Sequence, residues 1–253
     1  MPSASALRIE IERTLERRFP AALTPVPRTI RETVATGIPE VDSLLDGGLP
    51  VGAISEVTGP TSSGRTSLAH SFLAQQTMEE RVCAWVDACD AFDPESAAAS
   101  GVSLRQLLWV RCQSASGPAK GKPWTRLDKA LRATDLLLQA GGFAALVLDL
   151  GDLAPEHGYR IPLATWFRFR QAADRARCCL VVLGQAAYAQ SSAAVVLECA
   201  PLEPRIAGGT VLNGFAFTVR RGRQRFTQEA VGTRKPPAST WSAISSWYVE
   251  ERA

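Results

Sequence analysis

Short apolar runs and amphipathic stretches alternate along most of this chain. The runs Ala53 to Val57, Val82 to Val86, Leu107 to Val110, Ala145 to Leu150 and Cys179 to Leu183 have the length of strands. Ala145 to Leu150 is apolar almost throughout, the pattern of a strand buried on both faces. Between the runs lie stretches with helical spacing. Thr66 to Met78 brings Leu68, Phe72 and Leu73 to one side. Trp124 to Ala140 is a second helix, ended by Gly141-Gly142, and Pro162 to Arg177 a third. After Leu183 only strands are expected, Val195 to Cys199 and Phe215 to Val219. This order predicts an α/β fold: a mostly parallel sheet with helices on both faces, finished by antiparallel strands.

The two ends read differently. Ser5 to Phe19 has Leu7, Ile11 and Leu15 at four-residue spacing and is stopped by Pro20, which predicts a short helix. Residues 22–36 carry two prolines and read as an extended linker. The expected division is residues 1–36 for helix and linker, 37–232 for the core and 233–253 for a tail. Trp241 and Trp247 in that tail suggest that it docks on something.

Composition narrows the classes. A hydrophobic fraction of 46% supports a packed core, and a net charge of +3 is too small to argue for nucleic acid by itself. No run reaches the ~18 apolar residues of a membrane span. The first residues include acidic ones and lack the apolar segment of a signal peptide. The six cysteines form no CxxC pair and read as reduced, buried thiols of a cytoplasmic protein. His70 and His157 have no metal-ligand company and read as structural.

Candidate chemistry begins at Gly59-Pro60-Thr61-Ser62-Ser63-Gly64-Arg65-Thr66-Ser67. A phosphate-binding loop needs two glycines at this spacing, so that backbone N–H groups turn inward, and a helix whose positive end follows. Thr66 supplies the hydroxyl for Mg²⁺. The lysine of the pattern is replaced by Arg65, which keeps the charge but is planar, longer and forked. Phosphate could still be cradled, while phosphoryl transfer, which depends most on placement, is doubtful. The plain alternative is a glycine-rich turn that binds nothing. Asp149, ending the strand Ala145 to Leu150, stands where such proteins place the carboxylate that orders the Mg²⁺ shell. Asp152 is a weaker candidate, and a strand-end Asp capping the next turn is the alternative.

The run TGIPEVDSLLDGGLPVGAISEVTGPTSSGRTSLA, followed by VCAWVDACDAFDPESAAASGV, resembles the core of the RecA recombinase superfamily. The resemblance covers roughly residues 36 to 230 and is tightest in its first two-thirds. With its short length and its SSAAVVLECAP segment, the chain is most similar to the ImuA family, RecA-like accessory proteins of bacterial translesion synthesis. That resemblance implies a RecA-like fold, ATP and Mg²⁺ as cofactors, and a place in DNA repair, DNA recombination and the SOS response to DNA damage. It places Asp93 and Pro94 at the adenine and Gln185 at the γ-phosphate. It puts Arg220, with Arg221 and Arg223, at the nucleotide of a neighbouring protomer.

Three departures bear on function. The family's water-activating glutamate falls at Cys89, and a thiol cannot take the place of a carboxylate that accepts a hydrogen bond from water. Asp90 is adjacent, but its side chain points elsewhere. The two DNA-binding loops shrink to about DLAPEHGYRIP and AAYAQSSAA. The cluster RRGRQRF, with Phe226, could meet phosphates and stack a base, or could be a solvated hairpin edge. The implied function is a RecA-like DNA-damage-response protein that acts through protein contacts, binds nucleotide weakly or not at all, and has weak or absent ATP hydrolysis. Its expected partners are RecA or an ImuB-like translesion polymerase, with self-association and weak DNA binding as further expectations. The alternatives are an active DNA-dependent ATPase recombinase and a RecA-fold ATPase outside DNA repair.

Overall fold

A computed structural model describes residues 31–112, 123–207, 211–224 and 238–244. The expected N-terminal helix, Phe226, Trp247 and the end of the tail lie outside the described residues. From Arg31 onward the chain forms one unit.

Ten strands and six α-helices are described. A two-stranded sheet pairs β1 (Thr33–Val34) with β2 (Leu49–Pro50), and α1 (Pro39–Leu44) lies between them in sequence. The main sheet contains β3 (Ile54–Thr58), β4 (Cys83–Asp87), β5 (Leu107–Arg111), β6 (Ala145–Asp149), β7 (Cys179–Gly184), β8 (Ala193–Ala207), β9 (Val211–Gln224) and β10 (Ala238–Ile244). The other helices are α2 (Arg65–Met78), α3 (Pro94–Ala99), α4 (Pro123–Ala140), α5 (Pro155–Gly158) and α6 (Leu163–Ala176).

The strand order is β10-β9-β8-β3-β7-β6-β4-β5. From β8 through β5 all neighbours are parallel, and β9 and β10 add antiparallel. This is the expected α/β architecture. The expected strands up to β7 and the three expected core helices fall within a few residues of the observed ones, whereas β8 and β9 run to 15 and 14 residues and extend beyond the expected Val195–Cys199 and Phe215–Val219. The tail is more structured than its composition suggested, because residues 238–244 form the edge strand β10. Trp241 docks: it is buried against Phe217 with ring centroids 4.9 Å apart.

Strand periodicity sorts side chains to two faces. Val57, Trp85, Val147, Val181 and Leu183 join Leu68 and Phe72 of α2 and Val41 of α1 in one core. Ile54, Val86, Leu146, Leu148, Leu180 and Val182 face the other way, onto Leu127, Trp166 and Phe169 of α4 and α6. Full burial of a side chain of this size contributes about 1.5–3 kcal/mol. The fold therefore rests on this two-sided sheet. Parallel pairing sends the ends of β3, β4, β6 and β7 to one edge. Asp87 is in register with Asp149, Asp149 with Leu183, and Thr58 with Gly184.

Candidate functional site

The four segments leaving that edge carry almost every candidate residue. After β3 the chain turns through Gly59 to Gly64 and enters α2. Two glycines are required by contact as well as by conformation. At Gly59 a Cβ would stand 2.2 Å from the Cys199 carbonyl oxygen. At Gly64, with φ of +86°, it would stand 2.7 Å from Cγ of Phe217. The loop is thus laid against β8 and the Phe217 ring, with its turn also using a left-handed Ser62 (φ 59°). A cleft of about 250 Å³ opens here, lined by Ser62, Ser63, Gly64, Arg65, Thr66 and Ser67 with Phe215 and Phe217. Pro60, Ser62 and Thr66 are exposed, while Ser63 is buried and its Oγ has no hydrogen-bond partner.

Arg65 is 7% exposed, and its Nη1 donates to the Gly151 carbonyl at 3.4 Å. Gln185 lies across the same edge, and its Nε2 donates to the carbonyls of Gly151 (3.3 Å) and Leu153 (3.4 Å). Asp149 ends β6 and accepts from the Gly151 N–H at 2.9 Å. Burial raises its carboxyl to about 6, helped by Asp87 and Asp152 and opposed by that N–H and by Arg65. Asp152 itself is exposed.

Asp87 is a residue of this edge that the sequence reading missed. Its carboxylate accepts the N–H groups of Cys89 (3.1 Å), Asp90 (2.6 Å), Ala91 (3.1 Å) and Phe92 (2.9 Å), fixing the loop that carries Cys89. The signal was available, since Asp87 closes an apolar strand as Asp149 does. Cys89 is half-buried, and burial with Asp149 and Asp152 nearby pushes its thiol up to about 11. It is therefore protonated and neutral at pH 7. Asp90 is held by Arg111 through two bonds of 2.7 and 2.8 Å.

Asp93 caps α3, accepting from the N–H groups of Glu95 and Ser96, and Pro94 opens that helix. The three arginines are engaged within the chain. Arg220 pairs with Glu198, both about half exposed. Arg221 donates to the Leu44 carbonyl at 2.8 Å, at the end of α1, and reaches Asp46. Arg223 donates to the Gln190 carbonyl. His70 is buried among Trp85 and Phe92, and His157 sits in α5. Phe215 and Phe217, an aromatic wall beside the loop, were legible only as strand residues.

A second missed residue is Glu56, in the middle of β3 and fully buried. Its Oε1 accepts the N–H groups of Tyr188 (2.5 Å) and Ala189 (2.8 Å), tying the phosphate-loop strand to the segment after Gln185.

Among the described residues no cluster of three or more His, Cys, Asp or Glu could hold a metal, and no helix is long and apolar enough to cross a membrane. Thr66 and Asp149 offer hydroxyl and carboxylate oxygens, the hard donors that Mg²⁺ takes when it leans on phosphate for the rest of its shell.

A glycine-built loop at a helix start, a strand-end carboxylate and a glutamine side chain at one edge of a parallel sheet are the arrangement of the P-loop α/β class. The chain belongs to the RecA N-terminal domain family, whose model matches residues 9–157. It is 34% identical to Protein RecA of Allorhizobium ampelinum over 169 residues, 61% of this chain and 43% of that one. Protein RecA of Brucella canis is 33% identical over the same length, and that of Rhizobium rhizogenes 41% identical over 119 residues, 47% of this chain and 30% of that one. The chain spans less than half the length of these curated relatives.

Proposed function

We propose that this protein is an ImuA-like member of the RecA family, serving the DNA-damage response in the cytoplasm. It acts in translesion mutagenesis through contacts with RecA or an ImuB-like polymerase partner, and it hydrolyses ATP weakly or not at all. The observation that carries the reading is Cys89: a thiol, neutral at pH 7, stands where the resemblance places the water-activating carboxylate. The burial of Arg65 supports it, because the one cation of the loop is directed at a carbonyl. In this reading the Gly59–Ser67 loop cradles the phosphates of ATP, Asp93 and Pro94 border the base, and Gln185 approaches the terminal phosphate. Thr66 and Asp149 would hold Mg²⁺, which supplies neutralising charge to the phosphates when bound.

Partner contact falls mainly to Arg220, whose guanidinium stays half exposed beside Glu198. Arg221 and Arg223 brace α1 and the β7–β8 connection, so their part in an interface is indirect. DNA affinity is weak and salt-dependent, with Kd of ~10⁻⁴–10⁻⁶ M as for other non-specific phosphate contacts. The test is direct binding of the purified chain to RecA and to a Y-family polymerase-like protein of the same cell, beside Arg220→Ala. Saturable binding to either one, weakened in the variant, is expected. Binding to neither, together with tight and salt-resistant binding to single-stranded DNA, contradicts the proposal.

A further inference from the structure

Another cleft, of about 250 Å³, lies at the opposite edge of the sheet from the phosphate loop. Gly52 and Ala53 of its lining lead into β3, and Ser192 and Ala194 stand at the start of β8, which runs parallel to β3. The phosphate loop leaves the far end of β3, about 17 Å away at ~3.3 Å per residue. A register slip shapes the cleft wall: Ile54 pairs with Ala193 and Ser55 with Val195, so Ala194 is an extra residue in β8. Bulges of this kind re-aim the chain beside binding sites.

Arg31, Arg170, Gln171 and Asp174 complete the lining. Arg31 pairs with Asp174 at 2.8 Å and donates to the Gly52 carbonyl at 2.7 Å. With Asp174 neutralised, Arg170 sets the net charge of the cleft. Its guanidinium stacks 4.8 Å from the Phe167 ring centroid, and among the described residues no carboxylate pairs with it. The ring holds the guanidinium plane without occupying its N–H groups. Ser192, 6% exposed, adds a hydroxyl to the lining, and Gln171 adds an amide.

We infer that this cleft is a binding site for a small phosphate-type oxyanion, either free phosphate or a short phosphomonoester, separate from the phosphate loop. Arg170 offers it two parallel N–H groups, the fork that matches phosphate oxygens. A tetrahedral phosphate can give two oxygens to that fork and still meet the Ser192 hydroxyl and the Gln171 amide. The volume of about 250 Å³ falls below the ~300–1,000 Å³ of sites for drug-sized ligands, so whatever carries the phosphate is small. A bound anion ties α6 to the starts of β3 and β8 and stabilises the fold by mass action.

Calorimetry and hydrogen exchange on the full chain test it, with inorganic phosphate and methyl phosphate as probes and sodium chloride at equal ionic strength as control. Peptides covering 167–175 and 190–196 should exchange more slowly in millimolar phosphate than in chloride. Arg170→Gln should weaken binding by about tenfold or more, the usual worth of a bond to a charged group. Ser192→Ala removes one neutral bond and should weaken it about threefold to tenfold, which keeps the test open if the Arg170 variant fails to fold. Tighter binding of methyl phosphate assigns the site to phosphomonoesters, and tighter binding of phosphate to the free ion; either supports the site. Protection confined to 59–67 puts the anion in the phosphate loop and overturns it. Equal protection by chloride, undiminished binding in both variants, or no heat and no protection from either probe overturns it as well.

Discussion

Replacing Glu56 separates the energetics of the site's frame from its chemistry. The carboxylate is fully buried in β3 and is the acceptor for the N–H groups of Tyr188 and Ala189. Glu56→Leu leaves both donors buried without a partner, at about 1–3 kcal/mol each. Part of this is offset, because burial holds the Glu56 pKa above its ordinary value, so ionising it in place is unfavourable. The net expected loss is about 2–4 kcal/mol, which at about 2–4 °C per kcal/mol for a chain of this size lowers Tm by roughly 4–16 °C. Glu56→Gln keeps an acceptor for the two N–H groups and removes the charge, so it should cost under about 1 kcal/mol at pH 7. The pH dependence has a definite sign. A carboxyl with a raised folded-state pKa binds more protons folded than unfolded, so its stability contribution is lost as pH rises above 4.5. Glu56→Gln should therefore gain on the wild type across that rise. Urea unfolding at pH 4.5 and pH 7 reads all three proteins. Equal stability of Glu56→Leu and wild type, or equal damage from the Leu and Gln changes, would refute the reasoning.

Two further changes have expected outcomes. Burial holds His70 down to about 4 against an ordinary 6.5, so the fold loses stability as pH falls between these values, by about 3 kcal/mol. Asp149, raised to about 6, acts in the opposite direction over much of that window, so the comparison must be with His70→Leu, whose unfolding free energy should lack the His70 component. Equal pH slopes for wild type and His70→Leu would count against a buried neutral imidazole. The double change Arg65→Lys with Cys89→Glu should raise ATP turnover, within the ~10²–10⁴-fold range of a restored general base. A variant that folds normally and gains neither binding nor turnover would show that the site lacks more than those two groups.

The strand and helix order was legible because apolar periodicity is local: β6 is visible in its 5 residues and α2 in its 14. The phosphate loop and Asp149 were legible for the same reason, since glycine spacing and a strand-end carboxylate are short-range signals. Glu56 was not, because its partners lie more than 130 positions away and nothing near it in sequence marks the β7–β8 connection. Asp87 ends β4 as Asp149 ends β6, so its position was legible; its role was not, because its four donors are backbone groups, which any sequence supplies. Three charges close together suggested one surface, but strand alternation and a bulge send Arg220, Arg221 and Arg223 to Glu198, Leu44 and Gln190 respectively. The edge strand β10 was hidden by the prolines that precede it and by its small polar residues.

In the proposed function this chain keeps the frame of the RecA family's nucleotide site without a water-activating carboxylate. Steady-state ATP turnover, measured on purified protein with and without single-stranded DNA beside the RecA of the same cell, tests it most directly. The account predicts turnover lower than that RecA by about 10²–10⁴-fold, the usual worth of a general base, and no stimulation by DNA. DNA-stimulated hydrolysis at a rate near that of RecA would contradict it.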